Sequence, residues 1–207
     1  MFSKFFNLDI EKQNRIINAA MKEFAQKGYD RASTNEIVKE AGISKGLLFH
    51  YFQNKKQLFL FLYDYFMELL TNEIFKKIDL SESDFFLRIQ QVSIVKMDLL
   101  KDYPELFKFV EIAYMESSSD VKEELDKRKK DFTNLNVNRI YEGIDVTKFK
   151  DGLDITKALK IITWTIEKLG EEALYKAKLS PHHEIDYDGV FKEYKEYIKM
   201  LKTCFYK

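Results

Sequence analysis

An all-α protein of about nine helices is what this sequence predicts, and three observations predict it. Breakers are scarce, with 7 Gly and 2 Pro in 207 residues, so long stretches run without a residue that interrupts a helix. Charged residues make up 33% of the chain and are mostly Lys and Glu, both good helix formers. Apolar side chains recur at three- and four-residue steps through most of the length, and no stretch reads convincingly as a half-buried strand. A chain this long can bury a sizeable core, and one large domain with a small appendage fits it best.

The first helix is expected from about Asp9 to Lys27. Ile16, Ala20 and Phe24 form its stripe beside Ile17 and Met21, and Gly28 stands where a helix stops. After the turn "GYDRA", Ser33 followed three residues later by Glu36 matches a capping box, and Gly42 ends the short helix so opened. Ser44 caps a third helix of one or two turns, ending near Phe52. Asn54 caps a fourth that runs from Lys55 to about Ile78. Residues 81–103 make the next, and Pro104, well placed at a first helical position, begins another through 117. A helix over 119–142 stops at Gly143, and 143–154, with two glycines and no helical period, reads as a loop. A long helix from about Asp154 to Lys178 carries Ile155, Leu159, Ile162, Trp164, Ile166, Leu169 and Leu174 on more than one face. A second loop, 179–189, precedes a last helix from Tyr187 to Phe205 with Phe191, Tyr194, Ile198 and Leu201 at helical spacing.

Composition also bounds function. Cys204 is the single cysteine, so neither an internal disulfide nor a cysteine metal site can form, and a reducing cytosol is the expected home. No stretch approaches the roughly 18 apolar residues of a membrane span, and "MFSKFFNLDIEKQ" is too short for a signal h-region. Net charge is zero, but residues 1–60 hold ten Lys or Arg against six Asp or Glu, leaving +4 there and −4 over the rest. A basic headpiece on an acidic body fits that asymmetry.

The stretch "GISKGLLFHYFQNKK", residues 42–56, has the layout of a helix-turn-helix: two short helices joined by a tight turn at Gly42. On a helical wheel Leu48 and Phe52 fall on one side with Ile37 and Ala41 as neighbours, so these are core. Lys45, Gly46 and Phe49 face away, and Leu47, His50 and Tyr51 flank the boundary. Phe52 is therefore expected to be buried, with Phe49, His50 and Tyr51 presented. An exposed helix N-terminus, a glycine permitting close approach and flat side chains suit a DNA groove. On the aromatic count alone, packing of all these rings in a small three-helix core stays open.

Residues 10–60 resemble the N-terminal domain of the tetracycline-repressor (TetR) family of bacterial transcription regulators. The likeness rests on "AA..EF...GY", on Ser33-Thr34 opening the second helix, and on "I..EAGISKG", "HYF" and "NK..L". It covers about a quarter of the chain; the rest agrees in helix number, length and order. The resemblance implies a three-helix DNA-binding domain over 1–54 and a ligand-binding and dimerisation domain over 55–207. It implies base contacts from Lys45, Gly46 and Phe49, and phosphate contacts from Ser33, Thr34, Leu47, His50, Tyr51 and Lys55. Lys55 also stands at a helix N-terminus, where the dipole favours phosphate. Leu47 replaces the family's usual small hydroxyl residue and Phe49 its usual tyrosine, which shifts the expected reading toward thymine methyls and backbone contacts. The N-terminal "FSKFFN" is expected as a hydrophobic flap on the first helix rather than an arm on DNA.

In the body the resemblance implies an effector pocket and a two-fold interface on the last two helices. Pocket candidates are Phe66, Met67, Phe86, Ile89, Ser93, Met97, Phe107, Val110, Tyr114 and Trp164, a lining suited to a small, largely apolar effector. Interface candidates are Ile162, Ile166, Leu169, Phe191, Tyr194, Ile198 and Leu201, apolar positions that a homodimeric four-helix arrangement would cover. No cofactor is implied. An enzyme is disfavoured, since there is no phosphate-binding Gly-rich loop, no nucleophile motif and no acidic pair near a His. His182 and His183 are adjacent in a loop and cannot form an i, i+4 metal pair. A helical scaffold with a vestigial headpiece accounts for everything after residue 60 but leaves "SKGLLFHYFQNKK" unexplained. The expected function is a repressor that binds a palindromic operator as a dimer and is released by its effector, with no membrane partner.

Overall fold

The computed structural model describes residues 2–180 and 185–207, with all their side chains except those at 100–102, 104, 133–138, 174 and 178. His182 and His183 lie outside the described residues. Ten α-helices are present among them: α1 (Ser3–Phe6), α2 (Ile10–Arg31), α3 (Thr34–Ala41), α4 (Lys45–Phe52), α5 (Lys55–Lys77), α6 (Phe85–Asp102), α7 (Pro104–Met115), α8 (Lys122–Tyr141), α9 (Ile155–Leu179) and α10 (Tyr187–Phe205). The nine expected helices are α2 to α10; α1 is additional. The expected loop 143–154 contains a 3-10 turn, Val146–Lys148, and an isolated antiparallel bridge between Phe149 and Tyr206. No strand occurs among the described residues.

Helix starts follow local chemistry. Asp9, Asn54, Asp154 and Asp186 each accept the backbone N–H three residues on, at 2.8, 2.8, 3.1 and 3.0 Å, satisfying a donor that has no partner inside the helix. Asp84 starts α6 by accepting from the N–H groups of Phe86 (2.9 Å) and Leu87 (3.2 Å). At Gly28, where a stop was expected, α2 breaks but does not end: φ is +68° and ψ 176°, and the chain resumes a helical turn to Arg31. The break leaves the Tyr29 N–H without an intrahelical partner, and the Glu116 carboxylate accepts it at 2.9 Å.

The chain packs as two units, one formed up to Asp79 together with Gln91–Ile140, the other by Leu80–Gln90 with Tyr141–Lys207. In the first unit α2 packs most extensively on α3 and α7. Its centre is aromatic: Phe59 of α5 meets Phe24 (4.9 Å), Tyr29 (5.2 Å) and Phe109 (5.3 Å) edge to face. Each such ring contributes about 1.5 to 3 kcal/mol on burial. Because this cluster ties α2 to α5 and α7, packing does not divide at 54/55, where the sequence reading drew its boundary.

In the second unit Phe85, Phe86, Phe149 and Tyr206 form the core, with Tyr206 at 4.8 Å from Phe86 and 4.9 Å from Phe149. Buried Arg88 donates to the carbonyls of Leu80 (2.9 Å), Glu82 (2.9 Å) and Glu142 (2.5 Å). Buried Asp84 accepts from Lys148 at 3.1 Å and from the Tyr206 hydroxyl at 3.3 Å. Both charges thus satisfy the requirement that buried ions be hydrogen-bonded. α9 and α10 pack on each other within this unit.

Candidate nucleic-acid interface

The helix-turn-helix is built from short-range bonds. α3 ends where Gly42 takes the left-handed conformation (φ +65°, ψ 39°), and the Ile43 N–H reaches back to the Val38 carbonyl at 3.0 Å. That six-residue closure suits glycine, which has no Cβ to clash at positive φ. Ser44 then caps α4, its hydroxyl accepting the Leu47 N–H at 3.2 Å. α4 buries Leu48 and Phe52 completely, with Ile37 and Ala41 of α3 also in the core. Its opposite side presents Lys45, Gly46 and His50 to solvent, with Phe49 and Leu47 half-buried at the margin. The Lys45 ammonium lies 5.9 Å from the centre of the Phe49 ring.

Gly46 decides how this surface is to be read. It has no positive φ, and beyond its chain neighbours and the backbone of its own helix no atom lies within 4 Å of where a Cβ would stand. Folding therefore makes no demand for glycine here, although glycine in a helix costs about 0.8 to 1 kcal/mol against alanine. A missing side chain on the open side of a helix between a lysine and an aromatic ring admits close approach from outside.

Three of the expected contacts are placed differently. Tyr51, expected among the presented residues, is only 9% exposed, because α1 covers it: the Phe5 ring lies 6.2 Å away. Lys55, expected to meet phosphate, folds onto the headpiece instead. Its ammonium donates to the Asp30 carbonyl (3.1 Å) and the Ala32 carbonyl (3.2 Å) and sits 4.7 Å from the Tyr29 ring, using two of its three donors. Ser33 begins α3 without a side-chain cap bond, so the expected box with Glu36 does not form. Buried Glu23 of α2 takes the Ser33 N–H instead at 2.9 Å and pairs with Lys27 at 3.0 Å. Thr34 is half-buried at the first position of α3.

The body candidates are divided between the two units. Phe66, Met67, Ser93, Met97, Phe107, Val110 and Tyr114 belong to the first unit, and Phe86, Ile89 and Trp164 to the second. Phe66 is core, edge to face with Phe107 at 5.3 Å, while Met67, Ser93, Met97, Phe107 and Val110 are half-buried. Tyr114 is exposed with the Lys129 ammonium 4.7 Å from its ring, Phe86 is packed on Tyr206, and Ile89 is buried. Trp164, taken as pocket lining, is 61% exposed.

The interface candidates also need correction. Ile162, Leu169, Tyr194 and Leu201 are buried within the chain, and Ile166, Phe191 and Ile198 are half-buried. Ile162, Leu169, Tyr194 and Leu201 therefore serve the core of their own unit, and only the half-buried three keep surface that another molecule could reach. The solvent side of α9 and α10 carries Ile161, Trp164, Tyr175, Leu179 and Met200, and a groove of about 350 Å³ opens there between Ile161, Trp164, Thr165, Lys168, Leu169, Glu172 and Tyr197. Hydrophobic period alone could not choose between faces, because α9 is apolar on both.

Fold and site together define an all-α protein with an N-terminal helix-turn-helix domain whose second short helix has one side open to solvent. Residues 16–66 match the family of bacterial regulatory proteins of the tetR type, so the resemblance to the tetracycline-repressor family is a finding and the N-terminal domain is one of that family. Among relatives, the chain is 47% identical over 58 residues to the uncharacterised HTH-type transcriptional regulator YuxN of Bacillus subtilis, a match that covers 28% of this chain and 20% of that one. The chain thus spans about a fifth of YuxN's length. It is 26% identical over 161 residues to the fatty acid metabolism regulator protein of Bacillus subtilis, covering 76% of this chain and 80% of the other. The fold of the whole chain is that of SmeT, the repressor of the Stenotrophomonas maltophilia multidrug efflux pump SmeDEF, with a TM-score of 0.71 at 17% identity over 98% of this chain and 93% of SmeT. A complex of SmeT with triclosan aligns with a TM-score of 0.66 at 16% identity, over 95% and 92% of the two chains. No helix among the described residues is long and apolar enough to cross a membrane.

Proposed function

We propose that this chain is a ligand-responsive transcriptional regulator, a repressor that binds a palindromic DNA operator as a homodimer and is released by a small, largely apolar effector. The observation that carries the reading is the open side of α4, where Gly46 meets no steric demand from packing and lies between an exposed lysine and a half-buried ring. In the major groove Lys45 reaches guanine O6 and N7, Phe49 meets a thymine methyl, and the Gly46 backbone comes close to the base edges. Ser33, Thr34 and His50 hold phosphates through their side chains, which fix register without reading sequence; the Leu47 N–H is already taken by the Ser44 hydroxyl, so Leu47 lends only apolar contact. Tyr51 and Lys55 act behind this surface, holding α4 and the start of α5 in place.

Dimerisation uses the solvent side of α9 and α10, where Ile161, Trp164, Tyr175, Leu179 and Met200 would otherwise leave an apolar patch in water. Two copies related by a two-fold axis place their recognition helices about 34 to 36 Å apart, one turn of DNA. The effector sits among α5, α6 and α7 beside Met67, Met97, Phe107 and Val110. Identity to a fatty acid metabolism regulator extends over 161 residues and so reaches these helices, and it favours an effector with an apolar chain. Binding there shifts α5, which leaves the headpiece directly, and changes the headpiece separation; coupling of this kind is worth about 1 to 3 kcal/mol. The protein acts in the cytoplasm, without catalysis and without a cofactor or membrane partner. Selection from a random duplex library at near-physiological salt tests the reading. A palindrome with half-sites one turn apart is expected, and a library without any enriched sequence refutes it.

A further inference from the structure

The connection between α4 and α5 is only two residues long, and one of them is strained. Gln53 has φ +64° and ψ −52°, and the Asn54 N–H donates to the Phe52 carbonyl at 2.7 Å. This is a γ-turn of the positive-φ kind, which a residue with a side chain adopts at a cost. A single strained residue does not by itself set the angle between an eight-residue helix and its neighbour. Phe52 of α4 and Phe61 of α5 face each other across the turn at 5.0 Å.

α1 covers that pair. The Phe5 ring lies 5.0 Å from Phe52, 5.2 Å from Phe61 and 6.2 Å from Tyr51. Phe2 lies 4.7 Å from Phe61 and 5.9 Å from Phe52. Phe5 and Phe52 are both completely buried. On the other side, Gln13 of α2 donates its amide N–H to the carbonyls of Leu8 (2.8 Å) and Phe6 (3.2 Å), tying the end of α1 to the headpiece. Edge-to-face and tilted ring contacts of this kind are directional as well as apolar, so they resist rotation of one helix against the other.

We propose that α1 is a brace across the α4–α5 turn and that Phe5 is a positioning residue for DNA reading. This rests on the proposal that α4 enters a DNA groove. With the brace in place α4 and α5 move as one body, so that any displacement of α5 reaches the recognition helix undiminished. Phe5 itself touches no DNA, since its ring is inside the protein.

The test uses the full chain and the Phe5→Ala, Phe5→Leu and Gln13→Ala variants. Kd is measured for a selected operator and for random duplex DNA across a salt series, and amide hydrogen exchange is followed in α4 without DNA. Phe5→Ala is expected to lower operator affinity at least tenfold, leave random-duplex affinity within about twofold and leave the salt slope unchanged, because phosphate contacts are not lost. Exchange in α4 should quicken more than in α3, and Phe5→Leu should restore most of the affinity. Gln13→Ala, which removes the tether and no core ring, should move both readouts the same way and keeps the test available if Phe5→Ala does not fold. An unchanged ratio of operator to random-duplex affinity in both Phe5→Ala and Gln13→Ala overturns the brace, and so does a flattened salt slope, which would make α1 a DNA arm. If the wild type selects no operator, the DNA reading fails, while the exchange measurement still decides whether α1 steadies α4.

Discussion

Replacing Gly46 by alanine separates what the fold needs from what a partner needs. A Cβ at this position meets no atom within 4 Å beyond its chain neighbours and its own helix backbone, and the backbone is not at positive φ, so no packing clash attaches to the change. Helix propensity alone then favours alanine by up to about 1 kcal/mol in a helix interior, and about half of that at this second position of α4. For a chain of this size the gain corresponds to a rise of about 1 to 2 °C in Tm. The same methyl stands where the edge of a base pair would approach, and spoiling one base contact typically costs about 1 to 3 kcal/mol. Gly46→Ala should therefore melt slightly higher than the wild type while its operator Kd weakens about tenfold or more, tenfold corresponding to about 1.4 kcal/mol. Differential scanning fluorimetry and fluorescence anisotropy on the same preparation give both numbers. A variant that melts lower would show that the fold does require glycine, and one that melts higher yet binds the operator as well as wild type would remove Gly46 from the interface.

Three other outcomes follow from the geometry. Gln53→Gly relieves the positive-φ turn and should raise the free energy of unfolding by about 1 kcal/mol, read from the shift in urea midpoint at constant m; a lower midpoint would mean that the torsion carries no strain. Trp164→Asp should convert the dimer to monomer in sedimentation velocity with little loss of protomer stability, whereas Ile162→Ala, a core deletion, should cost about 2 to 5 kcal/mol of stability; a dimer that survives Trp164→Asp rules out this face. Burial alone would raise the Asp84 carboxyl, but the Leu87 N–H and the nearby Lys148 and Lys202 ammonium groups hold it below the usual carboxylate range. Its contribution is therefore present above the unfolded pKa of about 3.9 and is lost as pH falls through the lower folded value. Asp84→Asn should be less stable than wild type at pH 7, and the difference should shrink on acidification below about pH 4; a gap that stays constant down to pH 2 would contradict this.

Much of the headpiece was legible because its signals are local. Asp9, Ser44 and Asn54 cap helices by bonds to the N–H three residues ahead, and Gly42 turns the chain by its own torsions. Those bonds join near neighbours, so spacing reveals them. The misplacements share the opposite property. Ser33 matches a capping box in spacing, yet its N–H is taken by Glu23, ten positions away and on another helix. Lys55 has two carbonyl partners 23 and 25 residues back, and no periodicity announces them.

The sequence by itself determined the helical class, the place of α2 to α10 along the chain, and which short helix carries Lys45 and Gly46 on its solvent side, since each follows from contacts within a turn or two of chain. Only the tertiary structure decided that Tyr51 is buried under Phe5 and that Trp164 rather than Ile162 faces out. α9 carries Ile161, Ile162, Trp164, Ile166 and Leu169 around more than one side, so either face could have gone inward, and the choice fell to the elements that pack against it. A helix's own sequence states how apolar each side is; which side loses its water depends on neighbours that lie far away along the chain.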